Sequence, residues 1–411
     1  MRQVLLSLWA LFAGLGLLML GNGLQGTLLG VRASLSGFGT GTTGVVMSCY
    51  YLGFMLGSVI TPPLIRRVGG IRVFAALASL VSFAPLAHAL LVNPVAWALL
   101  RLLAGACMVG VFVVAESWLN SAATNATRGR LLAIYLLVCQ ISMAGGQYLL
   151  SFADPRGFEL FVLVSALFSL AVVPIALTRR AVMQQGPTVR IAFPVLIKRI
   201  PLCLSGLLVT SLAYGSFYGM GAVYALEVGL ERSQIASFMA SAIMGAVVLQ
   251  WPVGMLSDRM DRRRLIVILC VAVTVVALLL SMVPSSQTTL LYTLMFLFGG
   301  LSFPLYGIFV ALAGDMLATE ELVAASSKIL LVNGMGSAIG PIVVAWLMHA
   351  VGNVGFGLFI AAAHAVVAML AMRSLISSST QVVGHAAHFT AITPQASVVA
   401  TEMAGRVAGE N

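Results

Sequence analysis

The sequence predicts an all-α membrane protein of twelve transmembrane helices, and its composition is the first reason. Of its 411 residues, 60% are hydrophobic and only 8% are charged, whereas an ordinary globular domain is about 45–50% apolar and about 25% charged. The mean hydropathy is +1.06. A soluble core cannot bury this much apolar surface, so the expected solvent is lipid. The composition excludes a soluble enzyme, a nucleic-acid-binding protein and a disordered chain.

Long apolar runs are the second reason. Membrane β-strands alternate apolar and polar residues over about 10 positions, but this chain has unbroken apolar runs near the ~20 residues that a membrane-crossing helix needs. The first run is too long for the apolar region of a secretory signal and is counted as a span. The predicted spans are 4–30, 43–65, 72–91, 95–118, 130–152, 158–178, 202–226, 234–256, 265–283, 288–313, 328–349 and 354–373.

The distribution of basic residues predicts the orientation in the membrane. An even number of spans puts both termini on one side, and the segments on that side hold seventeen Lys and Arg residues, against three on the other. Cytoplasmic loops are enriched in Lys and Arg, so both termini are predicted to be cytoplasmic. The net charge of +10 is therefore interpreted as a topology signal, and no nucleic-acid partner is expected.

A polar connection from Arg179 to about Arg199 divides the spans six from six. It predicts an N-terminal six-helix bundle over 1–178, a cytoplasmic central loop over 179–201 and a C-terminal six-helix bundle over 202–373. Residues 374–411, rich in Ser, Thr, Ala and Gly, are predicted to be a flexible cytoplasmic tail. The loops "PPLIRRVGGIR" and "GMLSDRMDRRR" follow the second span of each half and align with one another. Two related bundles joined by a hinge are typical of a secondary transporter.

Several motifs resemble those of the major facilitator superfamily over roughly residues 4–373. The loop after span 8 matches the superfamily signature, and Arg101 followed by Gly105 is similar to its fourth-span arginine motif. The stretches 113–135 and 321–341 resemble, more narrowly, the YcaD-like branch of bacterial members. The resemblance implies alternating access, a path lined by spans 1, 4, 7 and 10, and location in a bacterial inner membrane. The chain departs from the pattern in the first half, where Arg66 replaces the expected aspartate, and in span 5, which lacks the Gly-Pro pair of antiporters.

The signature loop is the first candidate for a functional role. A carboxylate among arginines at a helix end can hold one arrangement of helices until substrate or a proton changes it. We therefore predict a gate that closes the cytoplasmic side. The alternative is a solvated basic loop that only sets topology. The predicted gating residues here are Gly254, Asp258, Arg259, Arg262 and Arg263.

Glu116 lies near the cytoplasmic end of span 4, in an otherwise apolar run. A charge inside a membrane helix costs at least about 2.5 kcal/mol, so a partner is expected. Arg128 and Arg130, across the short loop before span 5, are the nearest candidates. The two interpretations are a structural tie between adjacent helices and participation in the cytoplasmic gate.

Arg101 and a set of polar side chains are the predicted substrate-binding residues. Arg101 lies about two turns inside the outer end of span 4, and such groups face a cavity or a partner unless they snorkel to the interface. Polar residues spaced three or four apart share one helix face on spans 1, 7 and 10. Interhelical hydrogen bonds are the alternative role for each of them. The set is Asn22, Gln25, Tyr214, Tyr218 and Tyr306.

These features predict a secondary active transporter that moves a small organic solute by alternating access. Proton-coupled efflux is the leading hypothesis; the alternatives are a proton-coupled uptake symporter and a non-transporting receptor or scaffold. No phosphate-binding loop, nucleophile–base pair or metal-ligand spacing is found in the sequence, so no enzyme activity, cofactor or metal is expected. Because one arginine but no deep carboxylate is predicted in the cavity, the sequence favours a neutral or anionic solute.

Overall fold

The computed structural model describes residues 8–177, 191–377 and 389–409. Within them, twelve helices are long and apolar enough to cross a membrane, which confirms the predicted fold class. A linker helix, Phe193–Arg199, precedes the second six, and a tail helix, Val398–Gly409, follows them. The membrane helices are α1 (Trp9–Leu35), α2 (Thr40–Val68), α3 (Gly70–Leu90), α4 (Pro94–Ala122), α5 (Asn125–Tyr148), α6 (Glu159–Ala176), α7 (Pro201–Glu227), α8 (Arg232–Arg259), α9 (Arg262–Met282), α10 (Thr288–Met316), α11 (Thr319–Val351) and α12 (Val354–Ile376).

Each predicted span corresponds to one helix, and most of the differences between the predicted and the observed bounds lie at the helix ends. α1 continues to Leu35, and the Arg32 guanidinium in its last turn donates to the carbonyl oxygens of Pro155 and Arg156. α11 begins at Thr319, so Lys328 lies inside a helix and not in a loop. Backbone N–H and C=O groups beyond the apolar stretch are still satisfied by continuing the helix. Spans predicted from hydropathy alone are therefore shorter than the helices.

The same close helix pairs occur in both halves of the chain. α2 and α4 meet at Gly53 and Gly105, where an added Cβ would lie 1.9 Å from a backbone oxygen of the facing helix. α8 and α10 meet in the same way at Gly245 and Gly299. Glycine-mediated contact also joins α1 with α5 and α7 with α11. Small residues allow this approach, and the repetition gives the two bundles a common internal plan.

The bundles meet along a seam with two different ends. We call the end with the α2–α3, α4–α5, α8–α9 and α10–α11 connections the basic end, and the other the opposite end. At the opposite end, a Cβ on Gly44 of α2 would lie 2.6 Å from both Pro341 O and Ala345 Cβ of α11. Thr40 Oγ1 donates to Glu227 Oε1 at 3.2 Å in the same region. The helices of the two bundles therefore touch directly at this end.

The described part of the tail differs from the flexible segment that the sequence predicts. Residues 389–397 enter the seam at the basic end, and the tail helix packs on α4 and α5 of the first bundle and on α10 and α11 of the second. Ile392, Ala400 and Met403 are at most 1% exposed. The segment is ordered because these few apolar groups, together with the hydrogen bonds below, are buried between the bundles. Residues 378–388 lie outside the described residues.

Candidate functional site

Arg101 lies on α4, which begins at Pro94 because the Asn93 side chain accepts from the first amides of the helix. Arg101 is 6% exposed, and its guanidinium carbon lies 4.4 Å from the centroid of the Tyr50 ring. This is a cation–π contact. Arg101 therefore points into the protein and does not snorkel to the interface.

Aromatic side chains from the second bundle face this arginine across the seam. The Tyr214 and Tyr218 rings are 4.8 Å apart, and the Phe303 ring lies 5.1 Å from that of Tyr214. Phe303 is placed by a break in α10, since the following Pro304 has no amide to continue the helix. Tyr51 of the first bundle lies within electrostatic range of both Arg101 and Tyr218. We call Arg101, Tyr50, Tyr51, Tyr214, Tyr218 and Phe303 the aromatic layer.

Two predicted residues on α1 are also buried. Asn22 is 8% exposed and Gln25 is 1% exposed. Neither amide atom of Gln25 has a hydrogen-bond partner among the described residues. Leaving a buried polar group unsatisfied costs about 1–3 kcal/mol. Gln25 is therefore suited to a polar ligand.

The Glu116 side chain lies in the seam toward the basic end, fifteen residues and about 22 Å of helix rise from Arg101. It is fully buried and accepts from Tyr135 Oη at 2.7 Å. Its other donors come from the tail: the Ser397 hydroxyl, Ser397 N at 3.1 Å and Ala400 N at 3.1 Å. We call Glu116 and Tyr135 the carboxylate site.

The expected pairing of Glu116 with Arg128 or Arg130 is wrong for this conformation. Arg130 is exposed, and Arg128 is buried at the start of α5, but the described partners of Glu116 are the groups above. The amides at the start of the tail helix carry a partial positive charge, and they compensate the carboxylate in place of a guanidinium.

Tail residues also contact the second bundle beside the carboxylate site. Asn333 of α11 accepts from Ser211 Oγ and donates to Pro394 O, both at 2.7 Å. Tyr306 Oη lies 3.4 Å from Thr401 Oγ1, so Tyr306 belongs at this level and not in the aromatic layer. Pro394 closes a cavity of about 10 Å³ that Tyr214 also lines. The two levels are therefore adjacent along the seam.

An ionic cluster joins three helices of the second bundle at the basic end. Arg262 of α9 donates to Asp315 of α10, to Ser257 Oγ at 3.2 Å and to Asp258 of α8 at 3.4 Å. Asp258 also contacts the tail, since Phe389 N donates to Asp258 Oδ1 at 2.7 Å.

The remaining gating candidates surround this cluster. The Phe389 ring lies on Gly254, where an added Cβ would be 2.4 Å from it. Asp261 caps α9 by accepting from Arg263 N at 2.8 Å. Desolvation raises the pKa of Asp261, but the hydrogen bonds from Arg263 outweigh it and hold the pKa below its ordinary value. Arg259 is exposed at the end of α8.

A crevice of about 540 Å³ opens between α5 and α8 beside the tail. Gln140 and Gln250 line it, and Phe389, Thr390 and Ala391 form its third side. Most of its lining is apolar, so the crevice is suited to the hydrocarbon part of an organic solute. Over the ranges that the structure describes, no three His, Cys, Asp or Glu residues are grouped to hold a metal ion.

Comparison with known proteins identifies the family. The family model described as Major Facilitator Superfamily matches residues 11–341 and 202–404. The chain is 30% identical over 342 residues, 82% of this chain and 88% of the relative, to an uncharacterized MFS-type transporter, YcaD, of Escherichia fergusonii. The crystal structure of a mutant of the nucleoside transporter NupG superposes with a TM-score of 0.75 at 15% identity, covering 90% of this chain and 99% of that one.

A bacterial homologue of the human lysosomal transporter Spinster, solved in an inward-facing and unoccupied conformation, superposes with a TM-score of 0.74 at 13% identity. The alignment covers 92% of this chain and 97% of that one. The twelve helices, the repeated helix pairs and these matches lead to one conclusion: this chain is a multi-pass membrane protein of the major facilitator superfamily, a family of transporters and not of enzymes.

Proposed function

We propose that the protein exports a small organic solute across a bacterial inner membrane in exchange for protons, by alternating access, with both termini in the cytoplasm. The observation that carries the proposal is the fully buried Glu116 carboxylate, which lies between the two bundles and binds four donor groups. A buried charge at membrane depth marks a functional site.

The two ends of the seam support alternating access. At the opposite end the bundles touch directly through α2 and α11, whereas at the basic end the tail lies between them. The excess of basic residues assigns the basic end to the cytoplasm. On this assignment the described conformation is closed to the outside, and the solute path leads from the cytoplasm toward the aromatic layer.

The chemistry of Glu116 supports exchange in preference to symport. An ionised carboxylate is acceptor-only, whereas a protonated one gains a donor and loses acceptor capacity and charge. A proton and a donor-bearing ligand therefore compete for the same two oxygens. Because the proton and the ligand compete for the Glu116 carboxylate, protonation of Glu116 releases the ligand. Coupled exchange requires this. Such competition at Glu116 requires no Gly-Pro pair in α5, the antiporter signature that this chain lacks.

Flux in proteoliposomes tests the proposal. Benzylguanidinium, a cation that keeps its charge and its N–H donors, and uridine, chosen because a nucleoside transporter shares the fold, serve as test solutes. We expect an acid interior to drive accumulation of solute, and Glu116→Gln to abolish the dependence on the pH gradient. Glu159→Gln, at an exposed carboxylate, is the matched control.

The direction of the dependence separates the alternatives. Accumulation driven by an acid exterior would replace export with the uptake symporter. Absence of saturable flux of either solute under both gradients would favour the receptor or scaffold.

A further inference from the structure

The tail follows a defined path through the basic end of the seam. It enters at Phe389, whose amide binds Asp258 and whose ring lies between Gly254 and Gly307. It then crosses to Asn333 at Pro394 and reaches Glu116 at Ser397. Residues from both bundles thus bind one continuous segment, through side chains on α4, α8 and α11.

The donors that the tail presents to Glu116 resemble a small polar ligand. Ser397 supplies one hydroxyl and one amide, and Ala400 supplies a second amide, all to the same carboxylate. Three donors converge on one buried anion, and the N-terminus of the tail helix adds a partial positive charge. The carboxylate site therefore selects for adjacent hydrogen-bond donors together with positive charge.

Occupation by the tail cannot persist through a transport cycle. Alternating access requires the two bundles to close at the basic end when they separate at the opposite end. The tail helix lies where they would have to meet, with Ala400 and Met403 fully buried. The tail must therefore leave the seam in each cycle, and a permanently docked terminus would hold the protein in one state.

We propose that the carboxylate site binds an organic cation that carries several N–H donors, such as an ammonium or guanidinium compound, and that residues 389–404 occupy this site as a displaceable internal ligand. The solute class and the displacement of the tail rest on the proposed transport function, whereas occupation of the site by the tail does not. The proposal replaces the neutral or anionic solute favoured by the sequence, because Glu116 supplies a deep carboxylate that the sequence does not predict there.

A reversible cross-link tests occupation by the tail. The test introduces Gly254→Cys and Phe389→Cys into a chain whose five native cysteines are replaced. An added Cβ at position 254 lies 2.4 Å from the Phe389 ring, so the two thiols are placed at a direct contact between α8 and the tail. We expect oxidation to reduce flux by about tenfold or more, because the competent state is then depleted, and a reductant to restore it. The two single-cysteine variants, treated with the same oxidant, are the controls.

The rate of cross-linking also measures displacement by solutes. Benzylguanidinium carries both charge and N–H donors; benzylurea has donors without charge, and benzyltrimethylammonium has charge without N–H donors. We expect benzylguanidinium to slow disulfide formation about tenfold at saturation, benzylurea to slow it less and benzyltrimethylammonium least. Glu116→Gln removes this discrimination, whereas Glu159→Gln retains it.

The outcomes separate this proposal from transport itself. Failure of the two cysteines to cross-link overturns tail occupancy, whereas cross-linked protein that transports at an undiminished rate overturns the need for the tail to leave; transport itself stands in both cases. Equal effects of the three benzyl compounds overturn the solute class. A third outcome combines two observations: no flux before or after reduction, and rapid cross-linking that benzylguanidinium slows. It overturns the proposed transport function but supports binding of the cation at the carboxylate site.

Discussion

The bundles are joined by different chemistry at the two ends of the seam. At the opposite end, Gly44 lets α2 pack directly on α11, and Arg232 Nη1 donates to Ala153 O at 3.1 Å. At the basic end, the bundles are bridged by a tail that offers backbone amides and hydroxyls to Glu116 and Asn333. At the opposite end, direct helix packing and hydrogen bonds between the bundles hold the seam, whereas at the basic end the bridge depends on polar groups of the tail that a ligand can replace.

The two halves also use their carboxylates differently. Asp315 near the end of α10 is paired with Arg262 inside its own bundle, whereas Glu116 near the end of α4 binds the tail. The first arrangement consolidates a bundle, and the second bridges two. Substitutions at these positions therefore have distinct consequences.

Arg262→Met is expected to have the largest effect, on stability. It leaves Asp315, 13% exposed, without its arginine, and removing one partner of a buried ion pair costs about 3–5 kcal/mol. Thermal unfolding of the detergent-solubilised protein measures the loss. Arg264→Met, at an exposed position, is the control, and an equal loss in both variants would contradict the structural role of the cluster.

Ser397→Ala is expected to weaken docking of the tail at the basic end without unfolding the protein. A hydrogen bond to a charged group contributes about 1.5–3 kcal/mol, and the Ser397 hydroxyl donates one to Glu116. Slower oxidation of the Gly254→Cys, Phe389→Cys pair reports the weaker docking. Ser82→Ala, whose hydroxyl bonds only within α3, should leave the rate unchanged; slowing by both would refute a specific contact.

Gly44→Leu is expected to weaken the closure at the opposite end. Overpacking at a close contact costs about 1–3 kcal/mol, so the larger side chain should separate α2 from α11. Cys49 on α2 should then react faster with a membrane-impermeant maleimide added from outside. Gly41→Leu, where an added Cβ meets nothing within 4 Å, is the control, and unchanged reactivity at Cys49 in Gly44→Leu would contradict this closure.

Arg101→Lys is expected to have the smallest effect. The charge is kept, but the contact of the guanidinium with the Tyr50 ring is lost, and cation–π contacts contribute about 0.5–2 kcal/mol. A modest rise in the KM for solute, with an unchanged dependence of flux on the pH gradient, would show that Arg101 takes part in solute binding. A loss of thermal stability with unchanged KM would assign it a packing role instead.

The sequence predicts the membrane helices and three of the six residues of the aromatic layer, Arg101, Tyr214 and Tyr218, for simple physical reasons. Hydropathy detects spans because lipid requires long apolar helices. The spacing of four groups Tyr214 with Tyr218, since such residues share a helix face, and their rings do lie together.

The contacts of the carboxylate site cannot be predicted in the same way. Ser397 binds Glu116 from 281 positions away in the chain, and the tail lacks the long apolar run that signals a buried element. Asp315 is missed by sequence reasoning because its partner Arg262 lies across a whole hairpin. The stretches "GVFVVAESWL" and "GIFVALAGDML" are similar and put Glu116 and Asp315 near the same end of α4 and α10. This similarity could have indicated Asp315 as a second carboxylate that is largely buried.

Paired distance measurements test alternation around the seam most directly. One sample carries spin labels at the basic end, at the exposed positions Arg67 and Arg264. A second sample carries them at the opposite end, at the exposed positions Phe158 and Val354. Each pair reports the distance between the two bundles at its end of the seam. On acidification we expect the tail to leave Glu116, the basic-end distance to shorten and the opposite-end distance to lengthen, with both changes lost in Glu116→Gln. Distances that stay fixed, or that change in the same direction at both ends, would contradict the account.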